Sequence, residues 1–80
     1  MTFSDAIILR LNTLCKSCGF NQNQLAKQVG VRQSTISDIM NGKTKNPSLI
    51  TLHRIATGLN MTLSEFLDYP EMNETLFDDE

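Results

Sequence analysis

The chain has 80 residues, enough for one small domain with a limited core. Hydrophobic residues make up 40 % and charged residues 20 %, as in ordinary globular proteins, and no apolar run approaches the length of a membrane span. The net charge of −2 conceals a division along the chain: residues 71–80 hold five acids and no base, while residues 16–54 hold six bases (Lys16, Lys27, Arg32, Lys43, Lys45 and Arg54) against Asp38 alone.

Read in chain order, the pattern is helical throughout. Residues 4–18 place Phe3, Ile7, Leu11, Leu14 and Cys18 along one stripe, and Gly19 ends that helix. Asp5 interrupts the N-terminal apolar stretch, and no basic segment or secretory signal precedes it, so a cytosolic protein is expected. Asn21 is a good N-cap for a second helix, with Gln24 three residues on as in a capping box. In that helix Leu25, Ala26 and Val29 share a face. Gly30 supplies a residue where the chain must leave the helix with positive φ. A third helix over 33–40 shows Ile36, Ile39 and Met40 at i, i+3 and i+4 and is ended by Asn41-Gly42. Each of these two short helices is marginal alone and must bury its stripe against a neighbour. A polar loop follows. Ser48 then caps a fourth helix with the stripe Leu49, Leu52, Ile55, Ala56 and Leu59, and Asn60 suits a left-handed position after it. Thr62 and Glu65 form the capping box of a fifth helix that buries Leu63, Phe66 and Leu67. Pro70 suits the first residue of a short sixth turn or helix, in which Met72, Leu76 and Phe77 gather; a frayed acidic tail is the alternative. The expected architecture is all-α, a compact five-helix bundle over 1–69 with an acidic segment at 70–80.

The face left over on the third helix is Gln33, Ser34, Ser37, Asp38 and Asn41, short polar groups of the kind that read base edges in a DNA major groove. At this point the chain resembles the Cro and lambda-repressor type of helix-turn-helix DNA-binding domains. The resemblance runs from Gly19-Phe20-Asn21-Gln22 through Leu25-Ala26, Gly30 and Asn41-Gly42-Lys43 to Pro47, Leu52, Ile55-Ala56, Leu59-Asn60 and Leu63-Ser64-Glu65-Phe66-Leu67. It implies a lambda-repressor-like fold in which the third helix enters the major groove, with Gln33, Ser34, Ser37 and Asp38 at the bases. Gln33 has the amide geometry for adenine, and Asp38, which only accepts hydrogen bonds, suits a cytosine amino group. Phosphate contacts are expected from Asn21 and Gln22 at the start of the second helix, and from Asn41, Lys43, Thr44 and Lys45 beyond the third.

The chain departs from the family pattern in two respects. Arg32 stands where Ser or Thr usually caps the recognition helix; it forgoes the cap but brings a long cation to the groove, where it is expected to contact a phosphate or a guanine. Many members also pair an Arg in the first helix with a Glu near the end of the third, and the matching positions here are Cys15 and Met40, expected to touch in the core instead.

Cys15-Lys16-Ser17-Cys18 has C-x-x-C spacing, but there is no second cysteine pair, and the motif ends a helix rather than starting one, where the dipole would activate a thiol. Core packing is expected for both cysteines, and a partly exposed structural role for His53. No nucleophile-base set, phosphate-binding glycine loop, metal-ligand pattern or small-molecule site is visible, so no cofactor and no enzymatic activity are expected. The expected function is a transcriptional regulator, a repressor, that binds a palindromic operator in double-stranded DNA as a homodimer through Leu63, Phe66, Tyr69, Met72, Leu76 and Phe77. An antitoxin or restriction–modification controller of the same fold, and a protein-interaction module that has lost DNA binding, are the alternatives.

Overall fold

Short-range polar chemistry decides where the helices begin. The computed structural model describes residues 1–74 and contains α1 (Phe3–Cys18), α2 (Gln22–Val29), α3 (Gln33–Met40), α4 (Leu49–Gly58) and α5 (Leu63–Leu67), then a 3₁₀ turn over Pro70–Glu74. No β-sheet forms among the described residues. Asn21 Oδ1 accepts from Gln24 N at 2.8 Å, while Gln24 Oε1 accepts from Asn21 N at 2.9 Å. The same reciprocal box joins Thr62 and Glu65 at 3.1 and 2.8 Å, and Ser48 Oγ accepts from Thr51 N at 3.2 Å. A third box, Thr2 with Asp5, starts α1 at Phe3, one residue earlier than the expected bound and in step with its apolar stripe. Only α3 lacks a side-chain cap, because Arg32 occupies that position.

The core is built by Ile7, Leu11 and Cys15 of α1, Leu25, Ala26 and Val29 of α2, Ile36 and Ile39 of α3, Leu52, Ile55 and Ala56 of α4, and Phe66 of α5. Met40 packs against this cluster and Cys15 lies within it, so apolar packing fills both positions. Two stripe expectations need correction. Cys18 is exposed, although it lies on the same side of α1 as Leu11. The helix ends there and the chain turns back at Gly19, so that Phe20 N reaches Cys15 O at 2.9 Å and Phe20, not Cys18, packs against the core. Leu49 is 63 % exposed, because as the first residue of α4 it projects beyond the turns that α2 and α5 cover.

Close approach of α2 and α4 depends on Gly58. A Cβ there would lie 2.5 Å from Val29 Cα and 2.7 Å from Val29 Cβ, a contact that backbone cannot relieve cheaply. Gln28 Nε2 donates to Gly58 O at 3.2 Å across the same seam.

The end of α5 is fastened to α1. Arg10 Nε donates to Phe66 O at 2.8 Å and Arg10 Nη2 to Glu65 O at 2.9 Å, satisfying carbonyls that the last turn of a helix leaves free. The guanidinium lies 5.0 Å from the centre of the Tyr69 ring, and Tyr69 Oη donates to Ala6 O at 2.7 Å. Phe66 and Tyr69, expected at a dimer surface, are therefore interior residues of the single chain, at 0 % and 8 % exposure. The 3₁₀ turn packs on α1, with Leu63 and Met72 half-buried against the core. Leu76 and Phe77 lie outside the described residues.

Candidate nucleic-acid interface

The geometry of the site follows from how α2 and α3 meet. Gly30 takes φ 71°, its amide and that of Val31 both reach back to Ala26 O (3.0 and 3.2 Å), and the chain is turned into α3 within three residues. Ala26, 4 % exposed, is small enough to let the helices approach. Ile36 and Ile39 then enter the core, which fixes the rotation of α3. Gln33 and Ser34 are left fully outside and Ser37 and Asp38 half outside, so the four form one polar row with Asn41 at its end. Asn41 Nδ2 donates to Ser37 Oγ at 3.0 Å, tying the last two positions of that row together.

The loop beyond α3 is held by the backbone of the row itself. Asp38 O accepts from Lys43 N at 2.8 Å and from Thr44 N at 3.1 Å, with Gly42 in the left-handed region at φ 78°. Lys43 and Lys45 are exposed and Thr44 half-exposed. At the other end of the motif, Asn21 is exposed and Gln22 half-exposed at the start of α2. The Asn21 side chain consumes only the Gln24 amide, so the earlier amides of that turn stay open to solvent or an anion. Arg32 is exposed at the mouth of α3, where the missing side-chain cap likewise leaves amides of the first turn unclaimed. The structure thus gathers Gln33, Ser34, Ser37 and Asp38 on one face and sets the two proposed phosphate-binding groups on the elements that flank it.

The other chemistry in the chain stays apart from this face. Burial, and then the neighbouring Cys18, raise the Cys15 thiol above its ordinary value, disfavouring the thiolate. His53 is exposed on α4. Among the described residues no group of three or more His, Cys, Asp or Glu side chains is placed to hold a metal, and no helix is long and apolar enough to cross a membrane.

One residue that sequence reasoning left without a role is Arg54, which lines an open cleft together with Arg32. Its signal was present but faint: Thr51 and Arg54 stand at i, i+3 on α4, and nothing local says that this face meets the turn of the motif.

Residues 11–66 match the helix-turn-helix family HTH_3. The chain belongs to the HTH_3 family. This is a family of DNA-binding regulators, and the fold agrees: an HTH_3 family transcriptional regulator from Vibrio cholerae superposes with a TM-score of 0.72 at 32 % identity, covering 81 % of this chain and 36 % of that one. The prophage Lp1 protein 11 superposes with a TM-score of 0.75 at 25 % identity, covering 90 % of this chain and 95 % of its own. Among curated proteins, the antitoxin HigA1 of two Mycobacterium tuberculosis strains is 37 % identical over 70 residues, or 88 % of this chain. The HTH_3 chain spans 44 % of the length of those relatives.

Proposed function

We propose that this HTH_3 protein is a sequence-specific transcriptional repressor that occupies a palindromic operator as a homodimer. The observation that carries the reading is the rotation of α3, which turns Ile36 and Ile39 inward and presents Gln33, Ser34, Ser37 and Asp38 as one outward row. In this reading Gln33 pairs with adenine, Asp38 accepts from cytosine, and Ser34 and Ser37 complete the register. Asn21 and Gln22 on one side, and Asn41, Lys43, Thr44 and Lys45 on the other, hold the phosphates, with Arg32 beside the first turn of α3.

A single domain reads few base pairs, and a two-fold pair spaces two recognition helices by about 34 Å, one DNA turn. With Phe66 and Tyr69 inside the monomer, the apolar contact for such a pair falls to the start of α4. There Leu49 and Ile50 are each 63 % exposed, close to the motif in a molecule measuring 32 × 23 × 22 Å.

Selection of bound duplexes from random DNA, at a low and a high salt concentration, tests the reading. The expected result is a palindrome with half-sites one turn apart, in which Gln33→Ala relaxes one position by about 1–3 kcal/mol. Salt-sensitive binding without any sequence preference would reduce the protein to an electrostatic binder. The likeness to the antitoxin HigA1 supports a second reading, in which the same DNA-binding domain also neutralises a toxic partner. Relief of growth inhibition on co-expression with the product of an adjacent gene separates the two.

A further inference from the structure

Arg54 lies outside the polar row and both phosphate-binding groups, yet it faces the motif. It shares with Arg32 an open cleft of about 520 Å³ between the α2–α3 turn and α4. Among the described residues no acidic side chain lines this cleft, and neither guanidinium has a hydrogen bond, ion pair or ring contact with another of them. Arg10 is the contrast, fully engaged by two carbonyls and an aromatic ring. Two unpartnered cations that line one cleft from different elements favour an anion held between them. The wall also holds the half-exposed hydroxyl-bearing Thr35 and adjoins the uncapped first turn of α3, so that its polar chemistry is mainly that of donors.

We infer that this cleft takes a phosphodiester of the DNA backbone, gripped between Arg32 and Arg54. The inference rests on the DNA-binding reading and adds to it a contact on α4. Three features favour a nucleic-acid strand. The cleft is open, so a chain can pass through it. It is lined by Arg32 just before Gln33 and Ser34 and by Thr35 just after them, so a duplex whose bases meet that row brings a strand alongside. The guanidinium forks match pairs of phosphate oxygens.

The test is titration of the full chain with two duplexes, the selected operator and an unrelated sequence of equal length, over about 50–200 mM salt. The unrelated duplex serves alone if selection yields no consensus. Arg54 is exposed, so Arg54→Gln is expected to melt with the wild type. It should weaken binding to both duplexes by a similar factor and lower the slope of log affinity against log salt by about 0.9. The wild type would then lose roughly threefold more affinity than the variant across that salt range. Arg54→Lys should restore the slope, because it keeps the charge, while recovering only part of the affinity. Wild-type binding with an unchanged slope in Arg54→Gln would overturn the assignment and leave the cleft to a carboxylate-bearing protein partner. A loss confined to one duplex would overturn it too, since backbone carries no sequence. Wild-type protein that binds neither duplex would overturn the regulator reading together with this assignment.

Discussion

Tyr69 concentrates several energetic terms in one side chain. Its ring packs under the Arg10 guanidinium, its hydroxyl donates to Ala6 O, and burial raises its pKa to about 12, opposed by Arg10 and assisted by Glu71. An unfolded tyrosine ionises near 10. The folded state thus keeps a proton that the unfolded state loses, and stability declines as pH rises from about 10 to about 12. Thermal melting should accordingly fall more steeply above about pH 10, beyond the earlier decline that the raised Cys15 thiol contributes. Tyr69→Phe should remove that extra fall while costing about 1 kcal/mol at neutral pH through the lost hydrogen bond. A variant with the same alkaline decline as the wild type would place the titrating group elsewhere. None of this was legible in the sequence. Tyr69 and Ala6 stand 63 positions apart, and Arg10 and Phe66 stand 56 apart, so no spacing rule connects them.

At the scale of helices, what could be read in advance was what short-range chemistry fixes. Asn21 with Gln24 and Thr62 with Glu65 are three residues apart, and both boxes form. Periodicity also gave the direction of each apolar face, but it says nothing of how far a neighbour extends. That is why Cys18 and Leu49, in phase with their stripes, lie outside. The close seam at Gly58 escaped notice because only the crossing of α2 and α4 makes that glycine necessary. For the proposed site, the row on α3 was legible because its apolar complement was; Arg54 was not, because the cleft exists only once α4 has packed. The uncapped α3 yields a test at this scale. Arg32→Ser restores a cap and should stabilise the fold by about 1 kcal/mol against denaturant. In the proposed interface the same change removes a cation and should weaken DNA binding with a shallower salt dependence. A variant both more stable and equally tight on DNA would remove Arg32 from the interface.

For the whole molecule, dimer formation is the property that the single chain poses as a question. The proposed contact at the start of α4 predicts that Leu49→Glu leaves melting close to that of the wild type, since the side chain is already 63 % exposed. It should shift sedimentation toward the monomer and weaken operator binding far more than half-site binding. A dimer undisturbed by Leu49→Glu would move the contact to another surface. The fastening of α1 to the end of α5 has a different kind of consequence, one of order in time. Ala6 and Arg10 are made early, yet the groups that answer them, on Glu65, Phe66 and Tyr69, come more than fifty residues later. A growing chain can form the hairpin of α2 and α3 from neighbours alone, but its first helix stays open along one flank until residue 69 has been added. The cover over this flank of α1 is thus long-range in sequence, and it can form only once residues 65–69 are available to pack on it.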